Sequence, residues 1–204
     1  MMRGVLVAGA AVLMVVAVAC SGPQAESGAD ESLAGAPEAE QSTGPVVLDP
    51  VDWATPTVVE GIGGAMEVTP TGVRYVTSEE ISSPTDHDHP AREMFAVVRF
   101  SVTTDADAVT VPHGWGWRHE GQEYGPGDGG NASTAPWAGS IPEVTTETVM
   151  LAGDQPAGYV TFDLPDSGGE LVFTGEDGTM VRWTAPGQDE GEVPELDEWL
   201  TSQP

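Results

Sequence analysis

Phe95-Ala96-Val97-Val98-Arg99-Phe100-Ser101-Val102 is the stretch whose reading decides the fold. Ala96, Val98, Phe100 and Val102 fall on one face, and Val97, Arg99 and Ser101 on the other. Side chains of an extended chain alternate sides, so this period of two predicts a half-buried antiparallel strand. Tyr159–Leu164 repeats the pattern, with Val160, Phe162 and Leu164 expected inward and Tyr159, Thr161 and Asp163 outward. Shorter runs rich in Val, Phe, Trp and Thr stand at Val73–Val76, Ala108–Val111, Trp115–His119, Thr146–Leu151, Leu171–Thr174 and Met180–Thr184. Between the last two, Glu176-Asp177-Gly178-Thr179 holds the Asp-Gly pair of a tight hairpin. Glu120-Gly121-Gln122 is expected to turn Trp115–His119 back toward Tyr124. With no amphipathic helix in view, the pattern reads as all-β, an antiparallel sandwich of about seven or eight strands over residues 61–186.

Composition narrows the chemistry. The 204 residues carry 33 Asp+Glu against 6 Lys+Arg, a formal charge of −27. All the basic residues are arginines (Arg3, Arg74, Arg92, Arg99, Arg118 and Arg182). Without lysine there is no Schiff-base chemistry and no phosphate loop of the Walker type. The single cysteine excludes an internal disulfide and a cysteine-rich zinc site. Nucleic acid is not an expected partner, because affinity for it comes from neutralising phosphates with Lys and Arg.

The first residues place the chain. Arg3 precedes the apolar run Val5–Ala19, which is shorter than the roughly 20 residues a membrane-spanning helix needs. Residues 1–19 therefore read as a secretory signal peptide. Ala17-Val18-Ala19-Cys20-Ser21-Gly22 resembles the lipobox of bacterial lipoproteins, although Ala17 stands where that motif usually has Leu. The resemblance implies lipidation of Cys20 and a membrane held through the N-terminal lipid; a plain secreted form is the alternative. Residues 20–60 are expected to be an acidic flexible linker. From Cys20 to Pro45 it is Ala, Gly, Ser, Pro and Glu, too polar to offset its ordering entropy, with a reach on the order of 25–30 Å. Val46–Ile62 is transitional, since Trp53 and several β-branched residues suit packing on the domain. Residues 187–204 form an acidic tail whose Leu196-Asp197-Glu198-Trp199-Leu200 is expected to dock weakly as a short helix.

Over roughly Met66 to Pro186 the chain resembles the Ig-like domain of unknown function found in many Gram-positive, especially actinobacterial, lipoproteins, related to a secreted immunogenic antigen of β-sandwich fold. The resemblance rests on Met66-Glu67-Val68 through Gly72-Val73, on Phe95–Thr103, on Trp117-Arg118-His119-Glu120-Gly121-Gln122-Glu123-Tyr124, and on Leu151-Ala152-Gly153-Asp154 followed by Gly158–Pro165. It departs at Thr104-Asp105, where Asn is usual, and at Ala152, where Pro is usual. The implied fold is an Ig-like sandwich; no catalytic residue is implied.

Three features could carry chemistry. Asp86-His87-Asp88-His89 offers imidazole and carboxylate ligands for Zn²⁺ or Cu²⁺, the two histidines pointing the same way in an extended chain. Such a site needs a further ligand, for which Met94, His113 and His119 are candidates; otherwise no cofactor is expected. Trp115, Trp117 and Trp137 could face a sugar or peptide, although Trp115 and Trp117 share a parity that suits the core. Asp128, in the Gly-rich loop from Pro126 to Pro136, could touch Ca²⁺ but lacks the spacing of an EF-hand. His119-Glu120-Gly121-Gln122-Glu123 fails the zincin pattern because its fifth residue is Glu, and no Gly-x-Ser-x-Gly is present. The expectation is a lipid-anchored, extracytoplasmic, non-catalytic binding module of the cell envelope whose protein partner or ligand the residues do not name. A metal-binding envelope protein using the Asp86–His89 loop is the alternative, and an accessory subunit of an envelope enzyme or transporter the next.

Overall fold

The computed structural model describes residues 46–111, 114–128, 130–141, 149–153 and 157–204. The apolar run Val5–Ala19, Cys20, the linker up to Pro45, His113 and the start of the Thr146–Leu151 strand lie outside the described residues.

The period-two runs are strands: β1 (Thr57–Gly61), β2 (Gly64–Thr77), β3 (Met94–Thr103), β4 (Ala108–Thr110), β5 (Trp115–His119), β6 (Gln122–Tyr124), β7 (Val149–Leu151), β8 (Ala157–Leu164), β9 (Gly169–Thr174), β10 (Met180–Ala185) and β11 (Glu190–Gly191). One sheet runs β1-β2-β3-β8 with β11 also on β2; a second runs β10-β9-β5-β6; β4 and β7 form a small third. Every ladder is antiparallel, and the two larger sheets sandwich a shared core. This is an Ig-like antiparallel β-sandwich.

Both expected hairpins form. Glu120 and Gly121 have φ of 48° and 80°, the paired left-handed residues of a two-residue turn between β5 and β6. Gly178, at φ 80°, turns β9 into β10, and the Asp177 carboxylate accepts from the Thr179 amide at 2.9 Å. A register shift between Pro70 and Gly72 divides β2, whose far edge is shared by β1 on one side of the shift and β11 on the other.

The core joins the sheets through aromatic rings where a disulfide is impossible. Trp117 of one sheet meets Phe162 of the other at 5.5 Å between centres and Tyr75 edge-on at 6.4 Å. Its indole N–H donates to the Gly168 carbonyl at 2.9 Å, so burial leaves no orphan donor. Trp183 is held likewise by the Thr55 carbonyl at 2.8 Å.

Residues 46–60, placed within the linker although Trp53 and the β-branched residues suited packing on the domain, belong to the sandwich. Val47 and Val51 bridge in parallel to Met180 and Trp183, which covers the outer edge of β10, and β1 follows. Arg182 anchors this segment by donating to the Leu48 carbonyl at 3.1 Å.

The outer face of the β2-β3-β8 sheet is also covered, which the alternation did not anticipate. Phe95, Val97 and Tyr159 pack with Trp137, Ile141 and Leu196 in a second core. Its lid is the 131–141 segment together with the helix α1 (Pro194–Ser202), so the tail docks as an integral element. Proline suits a first helical turn, where its missing N–H is not needed. Arg74 ties the tail down through Asp189 and through Asp197 at 3.6 Å, and is itself held by Glu80 at 2.7 Å. Tyr159 donates its hydroxyl to Glu195. Burial, then that hydrogen bond, pushes the Tyr159 phenol up to about 12, and the same bond holds the Glu195 carboxyl below its ordinary value.

Candidate functional site

The centre of the candidate surface is Asp163, expected on the open face of β8 but only 2% exposed. One carboxylate oxygen accepts from the amides of Ala91 at 2.8 Å and Asn131 at 2.7 Å; the other accepts from the amide of Arg92 at 2.9 Å. A buried carboxylate is tolerable when charge-assisted hydrogen bonds surround it. These bonds fasten two loops, 84–93 and 125–135, to the sheet.

The loops also grip each other. Asn131 donates its side-chain amide to the His89 carbonyl at 2.9 Å, and Thr134 donates to the His87 carbonyl at 2.7 Å. Arg92 reaches the Asp128 carbonyl at 3.3 Å and the Asp163 carbonyl at 3.0 Å, with its guanidinium 5.1 Å from the Tyr124 ring centre. Glycine is required at 130, because a Cβ there would stand 2.6 Å from both Arg92 Nη1 and Asp163 Cβ.

The expected metal ligands are not brought together. Asp86–Asp88 form a single 3₁₀ turn, so His87 and His89 lose the common direction an extended chain would give them. His87 is exposed, whereas His89 Nε2 lies 2.8 Å from the Ser83 carbonyl and Asp88 accepts from the Ser83 hydroxyl. His119 closes β5 and lines a separate hollow with Asp166. Among the described residues no three His, Cys, Asp or Glu side chains form a group that could hold a metal ion. The Asp128 carboxylate closes its own turn by accepting from the Gly125 amide at 3.2 Å.

Of the three candidate aromatics, Trp117 and Trp137 are fully buried, one in each core, and offer no face to a ligand. Trp115 is half-buried between Phe100 at 4.3 Å and Phe173 at 4.7 Å. It lines a groove of about 260 Å³ with Gly114, Gly116, Glu123, Asp128, Val172 and Met180. The groove therefore adjoins the loop surface through Asp128, whose backbone Arg92 holds.

Sequence reasoning missed Asp163, Arg92, Asn131 and Gly130. One signal was present: a carboxylate flanked by Phe162 and Leu164 in a strand, where an acidic residue is disfavoured unless something holds it.

Fold and site together define an antiparallel β-sandwich domain with a clamped pair of loops beside a groove. No protein-family model matches the chain, and no curated protein matches it. Among solved structures it is similar to MPT63, a secreted protein from Mycobacterium tuberculosis, at 12% identity and a TM-score of 0.45, covering 70% of this chain and 99% of that one. It is also similar to ycdA of Bacillus subtilis, described as a putative lipoprotein, at 15% identity and a TM-score of 0.44. That match covers 72% of this chain but spans only 43% of the Bacillus protein.

Proposed function

We propose that the chain is a non-catalytic, lipid-anchored, extracytoplasmic binding module of the cell envelope whose interaction face is the loop surface fastened by Asp163. The observation that carries this is the clamp. A buried carboxylate fixes two surface loops in one arrangement, and loops ordered before binding lose less entropy on meeting a partner. A binding role also suits loops carried on a rigid sandwich. The Asp163 oxygens are taken up by backbone amides, a positioning role rather than proton transfer. Val5–Ala19 followed by Cys20 supports export and lipid attachment. Two acyl chains would hold the module stably, and its excess of carboxylates would keep it off anionic headgroups.

The test uses the full chain in its own cells. A photo-crosslinking residue is placed at exposed His87 or Ser133 on the loops, or at exposed Thr184 on β10 as a control. Adducts from the loop positions and not from Thr184 support the reading; adducts from Thr184 alone, or none, overturn it. Cys20→Ala should move the protein from the membrane fraction to the medium, and unchanged fractionation would overturn the anchor.

A further inference from the structure

A glycine inside a strand weakens it, and it marks a bulge, crowding, or a close approach by a ligand or another backbone. Gly116 fits only the last. Its register with β9 is unbroken, Trp115↔Phe173, Gly116↔Val172 and Trp117↔Leu171, and its φ is not left-handed. A Cβ there would meet nothing nearer than Val172 Cβ at 3.8 Å and the Tyr124 carbonyl at 4.0 Å. Any side chain at this position would project into the groove described above.

A second, independent observation is an open sheet edge at the same place. The Thr174 amide donates to the Gly114 carbonyl at 2.9 Å, and alternation then turns the backbone groups of Gly116 and Arg118 toward β9. Those of Trp115, Trp117 and His119 point toward β6. Tyr124 and Gln122 answer Trp117 and His119, after which the chain turns away, the Asp128 amide donating to the Gly125 carbonyl at 3.2 Å. Among the described residues nothing pairs with Trp115 on that side. The charged residues lining the groove are Glu123 and Asp128, both acidic; Glu123 is paired with Arg118 at 2.6 Å, and the Asp128 carboxylate has no cationic side-chain partner among the described residues.

We propose that this groove takes an extended, lysine- or arginine-bearing peptide segment of a partner protein, added as a strand in line with β6. Main-chain pairing with Trp115 would supply the register of strand addition. Gly116 leaves room on the sheet face for a side chain of the incoming strand, and Asp128, with Glu123 shared from its Arg118 pair, receives the basic group. The proposal rests on the binding-module reading and names the chemistry of the partner.

The test is a titration of the ¹⁵N-labelled full chain with three blocked pentapeptides. They are Val-Lys-Val-Lys-Val, Val-Glu-Val-Glu-Val, and the lysine peptide with its central amide N-methylated. The lysine peptide should shift the amides of residues 114–125, and the glutamate peptide should shift none. N-methylation keeps the charge but removes one ladder hydrogen bond, so affinity should fall about fivefold. Gly116→Val fills the groove with a residue that favours strands, so the melting temperature should hold while binding falls at least about tenfold. Equal binding of the N-methylated peptide, unchanged binding by Gly116→Val, or shifts spread over the acidic surface would each overturn the proposal. If the lysine peptide does not bind while loop crosslinking succeeds, the groove assignment falls and the binding-module reading stands; if both fail, both fall.

Discussion

Asp163→Asn is the sharpest perturbation the structure offers, because it changes hydrogen-bonding capacity and charge while keeping shape. The carboxylate answers three amides, two at one oxygen and one at the other. An asparagine serves best with its oxygen toward Ala91 and Asn131, which turns its NH₂ against the Arg92 amide. One buried donor is then orphaned, at a cost of about 1–3 kcal/mol, and two charge-assisted bonds become neutral at about 1 kcal/mol each. The expected loss is about 3–5 kcal/mol, or on the order of 10 °C in melting temperature for a domain of this size. Urea unfolding followed by tryptophan fluorescence measures the free energy. Amide exchange adds location: the amides of Ala91, Arg92 and Asn131 should lose protection more than those of β9 and β10. A loss below about 1 kcal/mol, or protection lost evenly across both sheets, would refute the clamp.

The remaining predictions concern the second core and the loop junction. Leu196→Ala should cost about 2–3 kcal/mol, the low end for a buried leucine because a short helix can resettle, and should expose Trp199 to acrylamide quenching. Gly130→Ala forces a Cβ to within 2.6 Å of Arg92 Nη1 and Asp163 Cβ, so it should destabilise by about 1–3 kcal/mol in thermal melts. Docking of the tail should be pH-dependent at both ends. Glu195 sits below its ordinary 4.5, so its contribution is present above that pH and lost as pH falls through the folded value. Tyr159 is raised from 10.0 to about 12, so its contribution is present below 10 and lost as pH climbs toward 12. Amide exchange of residues 194–202 should show a plateau between these limits, and Tyr159→Phe should flatten the alkaline edge.

The strands and their hairpins were legible because alternation and Asp-Gly or Glu-Gly turns are local signals. What alternation cannot say is whether the second face of a strand meets water. Val97, Tyr159 and Asp163 were expected outward, and all three are buried: residues 131–141 and a helix far along the chain fold over Val97 and Tyr159, and the loops bearing Ala91, Arg92 and Asn131 close over Asp163. A hint lay in Phe95-Ala96-Val97-Val98, four apolar residues in succession, which suits a strand covered on both faces. The short parallel edge at Val47 and Val51 was hidden for a related reason. Its partners, Met180 and Trp183, are more than a hundred residues away, and its acidic, proline-containing sequence resembles a linker. The Asp86–His89 loop shows the converse: ligand-type residues close in sequence do not converge when a 3₁₀ turn redirects them.

The arginines explain why this surface should favour a basic partner. Arg74 holds the tail through Asp189 and Asp197, Arg92 holds the 125–135 loop, and Arg182 holds the 46–51 segment while pairing with Glu170 at 3.2 Å. Arg118 faces Glu123 at 2.6 Å, and Arg99 lies 3.4 Å from the Thr71 hydroxyl. The described cations are thus engaged, Arg74, Arg92 and Arg182 in fastening segments distant in sequence and Arg118 within its own hairpin, and they neutralise only a fraction of the 33 acidic residues of the chain. The remaining field is negative and acts over about a Debye length, so it steers cationic segments and falls off with salt. Steering of this kind speeds encounter but does not choose a site. Selection has to come from shape and backbone pairing, and Gly116 beside the open edge at Trp115 is where this sandwich offers both.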